Sequence, residues 1–224
     1  MKAEAVATEI GRRICANPGA RTPEYRRIRR EFSERLREAP ARTVIGAAHL
    51  LSRVPRGGHR FIAYELVQKH PTAPASLDAR SLERLGLGLS DWDEVDCFAV
   101  CLSGPAWRRR LIADGVIRRW ARSHDRWWRR AALVSTVPLN SRAQGGRGDA
   151  RRTLRVCRML EGDRDPMVVK AVSWALRELA KRNPASVRQF LADRSEALAP
   201  LVRREVRHKL DTGLKNPGKR RRAR

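Results

Sequence analysis

The feature that most constrains the fold of this chain is a helical spacing of apolar residues that recurs along almost its whole length, interrupted only by short turns. We find no apolar/polar alternation of strand length between turn residues, so we expect no β-sheet. Asp165-Pro166 and Asn183-Pro184 each supply an N-cap residue followed by a first-turn proline. Paired short helices in series indicate an α-solenoid.

We therefore predict an all-α fold, a right-handed α-solenoid of HEAT-like helical repeats with a concave basic face. One domain is expected over residues 1–214, followed at 215–224 by a basic tail that we expect to be disordered. The predicted helices span approximately residues 3–16, 23–38, 41–53, 58–70, 76–86, 91–103, 107–113, 114–123, 126–138, 148–161, 166–182, 184–193 and 195–213.

The charge of the chain indicates the class of its partner. There are 49 Lys and Arg residues against 24 Asp and Glu, which gives a net charge of +25. Such an excess repels itself in an isolated compact protein, whereas a polyanion neutralises it, and nucleic acid fits best. The plain alternative is a basic surface that is merely solvated.

The cysteines and the N-terminus bear on where the protein works. The chain has no CxxC pair and no Cys/His group with zinc spacing, which indicates a reduced intracellular compartment. Residues 1–10 are too polar for a signal peptide, and no apolar run reaches membrane-spanning length. Cys97 and Cys101, four residues apart, are expected to pack as small core side chains on one helix face.

An aromatic and a carboxylate share one face of the predicted helix 91–103. Trp92 and Asp96 are four residues apart and lie away from the centre of the apolar stripe. Asp91 and Asp93 suit an N-cap and a first helical turn. Because a carboxylate repels DNA, Asp96 needs a chemical role if it faces DNA. The apolar stripe of this helix consists of Val95, Phe98, Cys101 and Leu102.

The predicted helix 166–182 carries an indole on its basic side. Trp174 points away from the apolar stripe and shares its side with Lys170, Arg177 and Lys181. An indole among cations can contact the sugar or base of a nucleic acid. The alternative is that a second helix layer buries Trp174. The apolar stripe consists of Val168, Val172, Ala175, Leu176 and Leu179.

The segment 124–137 adds two adjacent arginines. Arg129 or Arg130 could bind a phosphate through its planar guanidinium, and the residues alone do not decide between them. Trp127 shares a face with Ala131 and Val134, which favours core packing over a ligand contact. We assign two further indoles to packing between helices, Trp107 and Trp120.

Several of these segments resemble the AlkD-like DNA alkylation repair proteins, which are HEAT-like repeat glycosylases. The most specific match is KAVSWALRELAKRNPASVRQFL at 170–191, and SDWDEVD at 90–96 and WWRRAAL at 127–133 also match. LAPLVRREVRHKL at 198–210 fits, and RTPEYRRIRREF at 21–32 fits loosely. The resemblance therefore spans most of the chain. One departure is Pro166-Met167, where some relatives carry aromatics.

The resemblance implies a monofunctional DNA glycosylase. Such an enzyme would hydrolyse the N-glycosidic bond of positively charged N3- or N7-alkyl purines in duplex DNA and leave an abasic site, without a metal or organic cofactor. In that family two Trp, an Asp and an Arg line the lesion site. Carried over by motif, these are Trp92, Trp174, Asp96 and Arg130, with Arg129 as the fallback for the arginine. Further DNA contacts are expected at Arg129, Lys170, Arg177, Lys181 and Trp127.

An alkylated purine is already a good leaving group, so the reaction needs no general acid. Asp96 would stabilise an oxocarbenium-like transition state and position the attacking water. Two other hypotheses explain the fold: a non-catalytic HEAT-like protein that binds damaged or branched DNA, and a protein-binding scaffold, which the charge of +25 disfavours. We expect a monomer in the cytoplasm, associated with the nucleoid and without a membrane partner.

Overall fold

The computed structural model describes residues 1–54 and 58–214. Every regular element within those residues is a helix, which confirms the all-α prediction. None of the helices described there is long and apolar enough to cross a membrane. The chain separates into two compact units, Met1–Val116 and Ile117–Arg224. The basic tail expected at 215–224 lies outside the described residues.

The first unit is built from short helices stacked in two layers. Helix α1 packs against α3, and α3 against α5, while α2 packs against α4, and α4 against α6. Contacts between α3 and α4 join the two layers, as expected for repeated helix pairs. The helices are α1 (Ala3–Cys15), α2 (Thr22–Arg35), α3 (Ala41–Ser52), α4 (His59–Lys69), α5 (Ala79–Leu85), α6 (Trp92–Phe98) and α7 (Gly104–Arg108). A 3-10 turn spans Ala73–Ser76, a π-helical turn spans Ala99–Ser103, and α8 (Asp114–Ala121) contains the division between the units.

Apolar side chains between the layers form the core of the first unit. Each contributes about 1.5–3 kcal/mol when it is fully buried. The largest fully buried side chains of this unit include Trp107, Tyr64, Phe32, Phe98, Ile10, Leu36, Leu51 and Ile62.

The second unit is organised around one long helix, α12, which packs against α9, α11, α13 and α14. Its N-cap residue Asp165 accepts hydrogen bonds from the backbone N–H groups of Met167 and Val168, and Asn183 caps α13 through Ser186 N–H. Both predicted helix starts are therefore confirmed. The helices are α9 (Arg126–Val134), α10 (Val137–Asn140), α11 (Ala150–Met159), α12 (Pro166–Ala180), α13 (Pro184–Asp193) and α14 (Pro200–Thr212), with a 3-10 turn at Arg142–Gln144.

Some predicted helix boundaries were wrong, and prolines explain two of them. The predicted helix 126–138 divides into α9 and α10, because Pro138 has no N–H to donate to the carbonyl of Val134. The last helix begins at Pro200 rather than at 195, since a proline keeps the residue before it, Ala199, in an extended conformation. The predicted helix 107–113 does not form; helix α7 ends at Arg108.

Candidate functional site

The first turn of α6 presents an indole among acids. Asp91 accepts a hydrogen bond from the backbone N–H of Trp92 at 2.5 Å, and Asp93 accepts one from that of Glu94 at 2.8 Å. These bonds confirm the structural roles predicted for the two aspartates. Trp92 is 53% exposed, and Asp96, one helical turn later, is half-buried. An aromatic face and a carboxylate thus follow each other along one side of the helix.

A buried arginine of the neighbouring helix α4 contacts this turn of α6. Arg60 of α4 is 5% exposed, and its Nε lies 3.4 Å from Oε2 of Glu94. Its Nη2 donates to the carbonyl of Leu87 at 2.9 Å, and its Nη1 donates to the Tyr64 hydroxyl at 3.0 Å. The Tyr64 hydroxyl in turn donates to the carbonyl of Leu85 at 2.9 Å. One guanidinium therefore connects α4, the loop before α6 and α6 itself.

The loop before α6 also depends on a glycine. Gly88 has a φ of 72°, in the left-handed region that favours glycine. A Cβ at this position would also lie 3.3 Å from Nη2 of Arg60. A side chain at this position would therefore strain the backbone and push the guanidinium away by a few tenths of an ångström.

The helix changes its hydrogen-bond spacing directly after the turn that holds Asp96. Residues Ala99–Ser103 form a π-helical turn, and the helical stretch then continues to Arg108. Pro105 has no N–H group to donate, so a wider turn ahead of it lets the helix continue without a break.

Two thiols meet across this turn. Sγ of Cys97 lies 3.8 Å from Sγ of Cys101, and the hydrogen bond between the two thiols, together with burial, raises the pKa of Cys97. The apolar stripe predicted for this helix is confirmed at Val95, Phe98 and Leu102, which are buried. It was wrong at Cys101, which is only half-buried because the π turn rotates the residues that follow Phe98.

Helix α12 buries one side and leaves Trp174 on the other. Trp174 is half-buried and lies off the packed side, as the sequence predicted, while Lys170 is exposed. Lys170 makes no ion pair with any residue in the described ranges. The predicted apolar stripe is buried throughout, at Val168, Val172, Ala175, Leu176 and Leu179.

The other two cations predicted beside Trp174 are engaged within the protein. Nε of Arg177 lies 3.1 Å from the Ser173 hydroxyl and 3.6 Å from Oε2 of Glu205 on α14. Burial lowers the pKa of Arg177 from its usual value. Nζ of Lys181 lies 2.6 Å from Oε2 of Glu178. Both cations would have to share or leave these carboxylates to bind a phosphate.

The two arginines of α9 differ in their surroundings. Arg129 donates from Nε to Oδ2 of Asp163 at 2.7 Å and from Nη1 to the carbonyls of Ser123 and His124. Arg130 is 5% exposed and donates from Nη1 to the carbonyl of Met167 at 2.5 Å. Arg130 therefore ties α9 to the first turn of α12.

The indoles on and near α9 differ in how deeply they are buried. Trp127 is half-buried, with the guanidinium of Arg126 4.7 Å from its ring centroid. Its predicted place in the core is therefore only partly realised. Trp120 is buried and its ring centroid lies 4.9 Å from that of Trp128, and Trp107 is also buried. These positions confirm the packing role predicted for Trp107 and Trp120.

Comparison with known proteins identifies the chain. A family model described as DNA alkylation repair enzyme matches residues 8–210. The chain belongs to the DNA alkylation repair enzyme family.

This member of the family also shares the fold of a solved relative. A predicted DNA alkylation repair enzyme from Enterococcus faecalis has a TM-score of 0.69 to the chain at 16% identity, over 95% of this chain and 98% of that one. At this identity the likeness shows the fold alone. No curated protein matches the chain.

In this DNA alkylation repair protein, the four residues carried over by motif lie as two pairs. Trp92 and Asp96 belong to α6 in the first unit, and Arg130 and Trp174 belong to α9 and α12 in the second unit. Each pair is positioned by contacts inside its own unit. That the four residues line one lesion site stays a prediction. Among the described residues, no group of three or more His, Cys, Asp or Glu is placed to hold a metal ion.

Sequence reasoning missed Arg60 and Glu94 as the support of α6. The available signal was a charged residue inside α4, where Arg60 is followed by Ile62, Ala63 and Leu66, all buried. An arginine among buried positions requires a partner. The spacing of 34 residues to Glu94 gave no means of naming that partner.

Proposed function

We propose that the chain is a DNA glycosylase that hydrolyses the N-glycosidic bond of positively charged N3- or N7-alkyl purines in duplex DNA. The observation that carries the proposal is the pair on α6, where the half-buried carboxylate of Asp96 lies one turn from the exposed indole of Trp92. In a chain with a net charge of +25 and membership of a DNA alkylation repair family, a carboxylate beside an accessible aromatic suits a developing sugar cation.

The chemistry follows from the charge of the lesion. Alkylation at N3 or N7 makes the purine cationic, so the bond from C1′ to N9 breaks with its electron pair going to the base, which leaves as a neutral molecule. The deoxyribose then carries the positive charge at C1′, as in other glycoside hydrolyses. Asp96 would stabilise this charge and orient a water molecule whose oxygen attacks C1′. The proton released from that water passes to the carboxylate or to solvent.

The other site residues would position the DNA. The π faces of Trp92 and Trp174 would contact the deoxyribose and favour its cationic form. Arg130, whose guanidinium also donates to the Met167 carbonyl, would hold a phosphate next to the lesion. Arg129, Lys170, Arg177, Lys181 and Trp127 would add contacts to the backbone, which position the duplex and carry no sequence information.

The decisive experiment measures release of 7-methylguanine and 3-methyladenine from methylated duplex DNA by wild type and by Asp96→Asn. We expect the substitution to reduce release at least about 100-fold, the usual effect of removing one preorganised electrostatic group. DNA binding should be retained, because the substitution removes a negative charge. The matched control is Asp93→Asn, which lies on the same helix, is exposed, and can still accept the Glu94 N–H.

Two outcomes would contradict the proposal in different ways. Equal release by wild type and Asp96→Asn would remove Asp96 from the mechanism. Absence of release by wild type, with tight binding to methylated duplex, would favour the non-catalytic DNA-binding hypothesis. Affinity for DNA should fall steeply with salt, because phosphate contacts release counterions, and a flat salt response would favour the protein scaffold.

A further inference from the structure

A second basic surface lies on the layer of the first unit that does not contain α6. A groove of about 580 Å³ is lined by α1, α3, the 3-10 turn Ala73–Ser76 and α5. Helices α4 and α6, with Trp92 and Asp96, contribute no residue to it. Its volume falls within the range of sites for small ligands. We call this feature the basic groove and define it by Arg42, Ile45, His49, Arg53, Ser81 and Arg84.

One face of α3 supplies most of the basic groove. Arg42, His49 and Arg53 follow each other at intervals of seven and four residues, which places them on one side of the helix. Gly46 lies between them, and a Cβ there would be 3.1 Å from the Cβ of Ala3. The start of α1 therefore lies against α3 and lines the groove together with it, and α5 contributes Arg84 to the same lining.

The arginines of the basic groove differ from six arginines of the same unit that pair with a carboxylate. Arg29 and Arg35 each have a carboxylate partner, at 3.0 Å from Glu65 and 2.6 Å from Glu9 respectively. The guanidinium groups of Arg42, Arg53 and Arg84 form no ion pair or hydrogen bond with any residue that the structure describes. One carboxylate, that of Glu4, lines the groove against these three cations. A concave surface with such an imbalance concentrates a positive potential.

His49 adds a polar group that lacks a partner inside the groove. Its Nδ1 is buried and has no hydrogen-bond partner among the described residues. Burial and the nearby charge of Arg84 lower the pKa of the imidazole. An anion bound at Arg84 would provide a counter-charge for that arginine and would change the environment of the nearby imidazole.

We propose that the basic groove binds the phosphate group of a nucleotide or of a polynucleotide backbone. Guanidinium groups match the oxygens of phosphate in pairs. Several cations in one groove suit the roughly doubly charged monoester of a nucleotide, or successive phosphodiesters of a backbone, better than a single carboxylate. The apolar side chains of Ile45 and Leu50 line the same groove and would contact a sugar or a base. The site is separate from the α6 face and does not depend on the proposed glycosylase activity.

The proposal is tested by NMR titration of the full chain, observing the ring of His49 and the methyl groups of Ile45. The probes are inorganic phosphate, deoxyadenosine monophosphate and a 12-base-pair duplex. We expect saturable shifts at both residues with at least one phosphate ester. Saturation by the mononucleotide identifies a nucleotide site, and saturation by the duplex alone identifies a contact to the DNA backbone.

Two triple variants separate a built site from general charge. The groove variant is Arg42→Gln/Arg53→Gln/Arg84→Gln, and the control variant carries the same change at Arg12, Arg80 and Arg109. The control arginines are exposed, belong to the first unit and do not line the groove. We expect the groove variant to lose the shifts at His49 and Ile45 and the control variant to keep them. In the duplex arm, the slope of log affinity against log salt should fall by about one for each phosphate that the groove holds.

Three results would overturn the proposal. The first is the absence of a saturable shift at His49 and Ile45 with both the mononucleotide and the duplex, whether or not inorganic phosphate gives one. The second is equal losses in the two triple variants, and the third is equal shifts with a short polyglutamate peptide. Circular dichroism melting establishes that each variant is folded. If the groove variant is unfolded, the single variant Arg84→Gln is measured in its place. Its control is then Arg80→Gln, which lies on the same helix, α5. The same readouts apply.

Discussion

Helix α6, with Trp92, and helix α12, with Trp174, each place an indole off their packed side, but different contacts hold the two helices in position. Helix α6 has seven residues, of which Val95 and Phe98 are buried, and Trp92 is 53% exposed. Helix α12 has fifteen residues, of which nine are buried, and Trp174 is half-buried. The first region depends on the polar contacts of one buried arginine, and the second on apolar packing against α9 and α14.

This difference predicts how sensitive each half of the proposed site is to a single substitution. Apolar packing is spread over many side chains, so no single contact decides the position of α12. A buried ion pair concentrates its effect in two groups, because the loss of one partner leaves the other charge buried and unpaired. The position of Asp96 should therefore be more sensitive to a single substitution far from DNA than the position of Trp174.

The largest expected effect is on stability, in Arg60→Met, which keeps an apolar stem but removes the guanidinium. The substitution leaves Glu94 without its cationic partner and the carbonyl of Leu87 without its donor, whereas the carbonyl of Leu85 keeps the Tyr64 hydroxyl. We expect the free energy of unfolding to fall by about 3 kcal/mol or more, which is usual when one partner of a buried pair is lost. Urea denaturation monitored by circular dichroism measures this change.

The control for that substitution is Arg37→Met. Arg37 lies 3.9 Å from the carboxylates of Glu34 and Glu38, and its side chain is 66% exposed. An exposed pair of this kind contributes less than about 1 kcal/mol. Similar losses in Arg60→Met and Arg37→Met would show that the buried arginine does not hold α6, and the comparison between the two regions would fail.

The next effect compares the two indoles directly, in Trp92→Ala and Trp174→Ala. Loss of a π face beside a cationic transition state costs about 1–2 kcal/mol, so we expect each variant to release alkylated purine roughly tenfold more slowly. The free energy of unfolding should distinguish the two variants. Trp92→Ala should change the free energy of unfolding by less than about 0.5 kcal/mol because the side chain is largely exposed, whereas Trp174→Ala should cost about 1–3 kcal/mol. Base-release kinetics and urea denaturation give both numbers, and a greater loss of stability at Trp92 would reverse the comparison.

The same two regions show how far sequence reasoning reaches. Local pattern was sufficient for α12, since its apolar stripe, its N-cap at Asp165 and the outward position of Trp174 all follow from spacing within one helix. It was insufficient for the support of α6, because Arg60 and Glu94 meet only after the chain has folded. The burial of Arg130 was likewise invisible, since its acceptor is a backbone carbonyl at Met167, 37 residues further on.

The π-helical turn is another feature that the local sequence pattern did not predict. Helical spacing predicted one regular helix over 91–103, whereas Ala99–Ser103 is wider and the stretch continues beyond Pro105. A proline in a helical pattern predicts either an end or a kink, and the sequence alone does not distinguish these from a π turn. Packing of Phe98 against Tyr64, with ring centroids 5.7 Å apart, accompanies the continuous helix.

The smallest expected effect compares the N-caps of the two helices, in Asp165→Ala and Asp91→Ala. Asp165 accepts two backbone N–H groups and lies 3.4 Å from Arg126, whereas Asp91 accepts the single N–H of Trp92. At pH 7 we expect Asp165→Ala to cost about 1 kcal/mol of unfolding free energy and Asp91→Ala about half as much. Thermal unfolding followed by circular dichroism measures both.

The pH dependence of the Asp165 effect shows whether the charged carboxylate is what caps α12. Burial alone would raise the pKa of Asp165, but the N–H groups of Met167 and Val168 and the charge of Arg126 outweigh it, so the pKa lies below its usual value. A group with a lowered pKa in the folded state stabilises the protein above its unfolded pKa, and this contribution is lost as the pH falls through the folded pKa. The cost of Asp165→Ala should therefore be full at pH 7 and shrink below about pH 4. A cost that is equal at pH 7 and pH 2.5 would mean that the neutral acid caps the helix as well as the carboxylate does. The charge of Asp165 would then contribute nothing to the stability of α12.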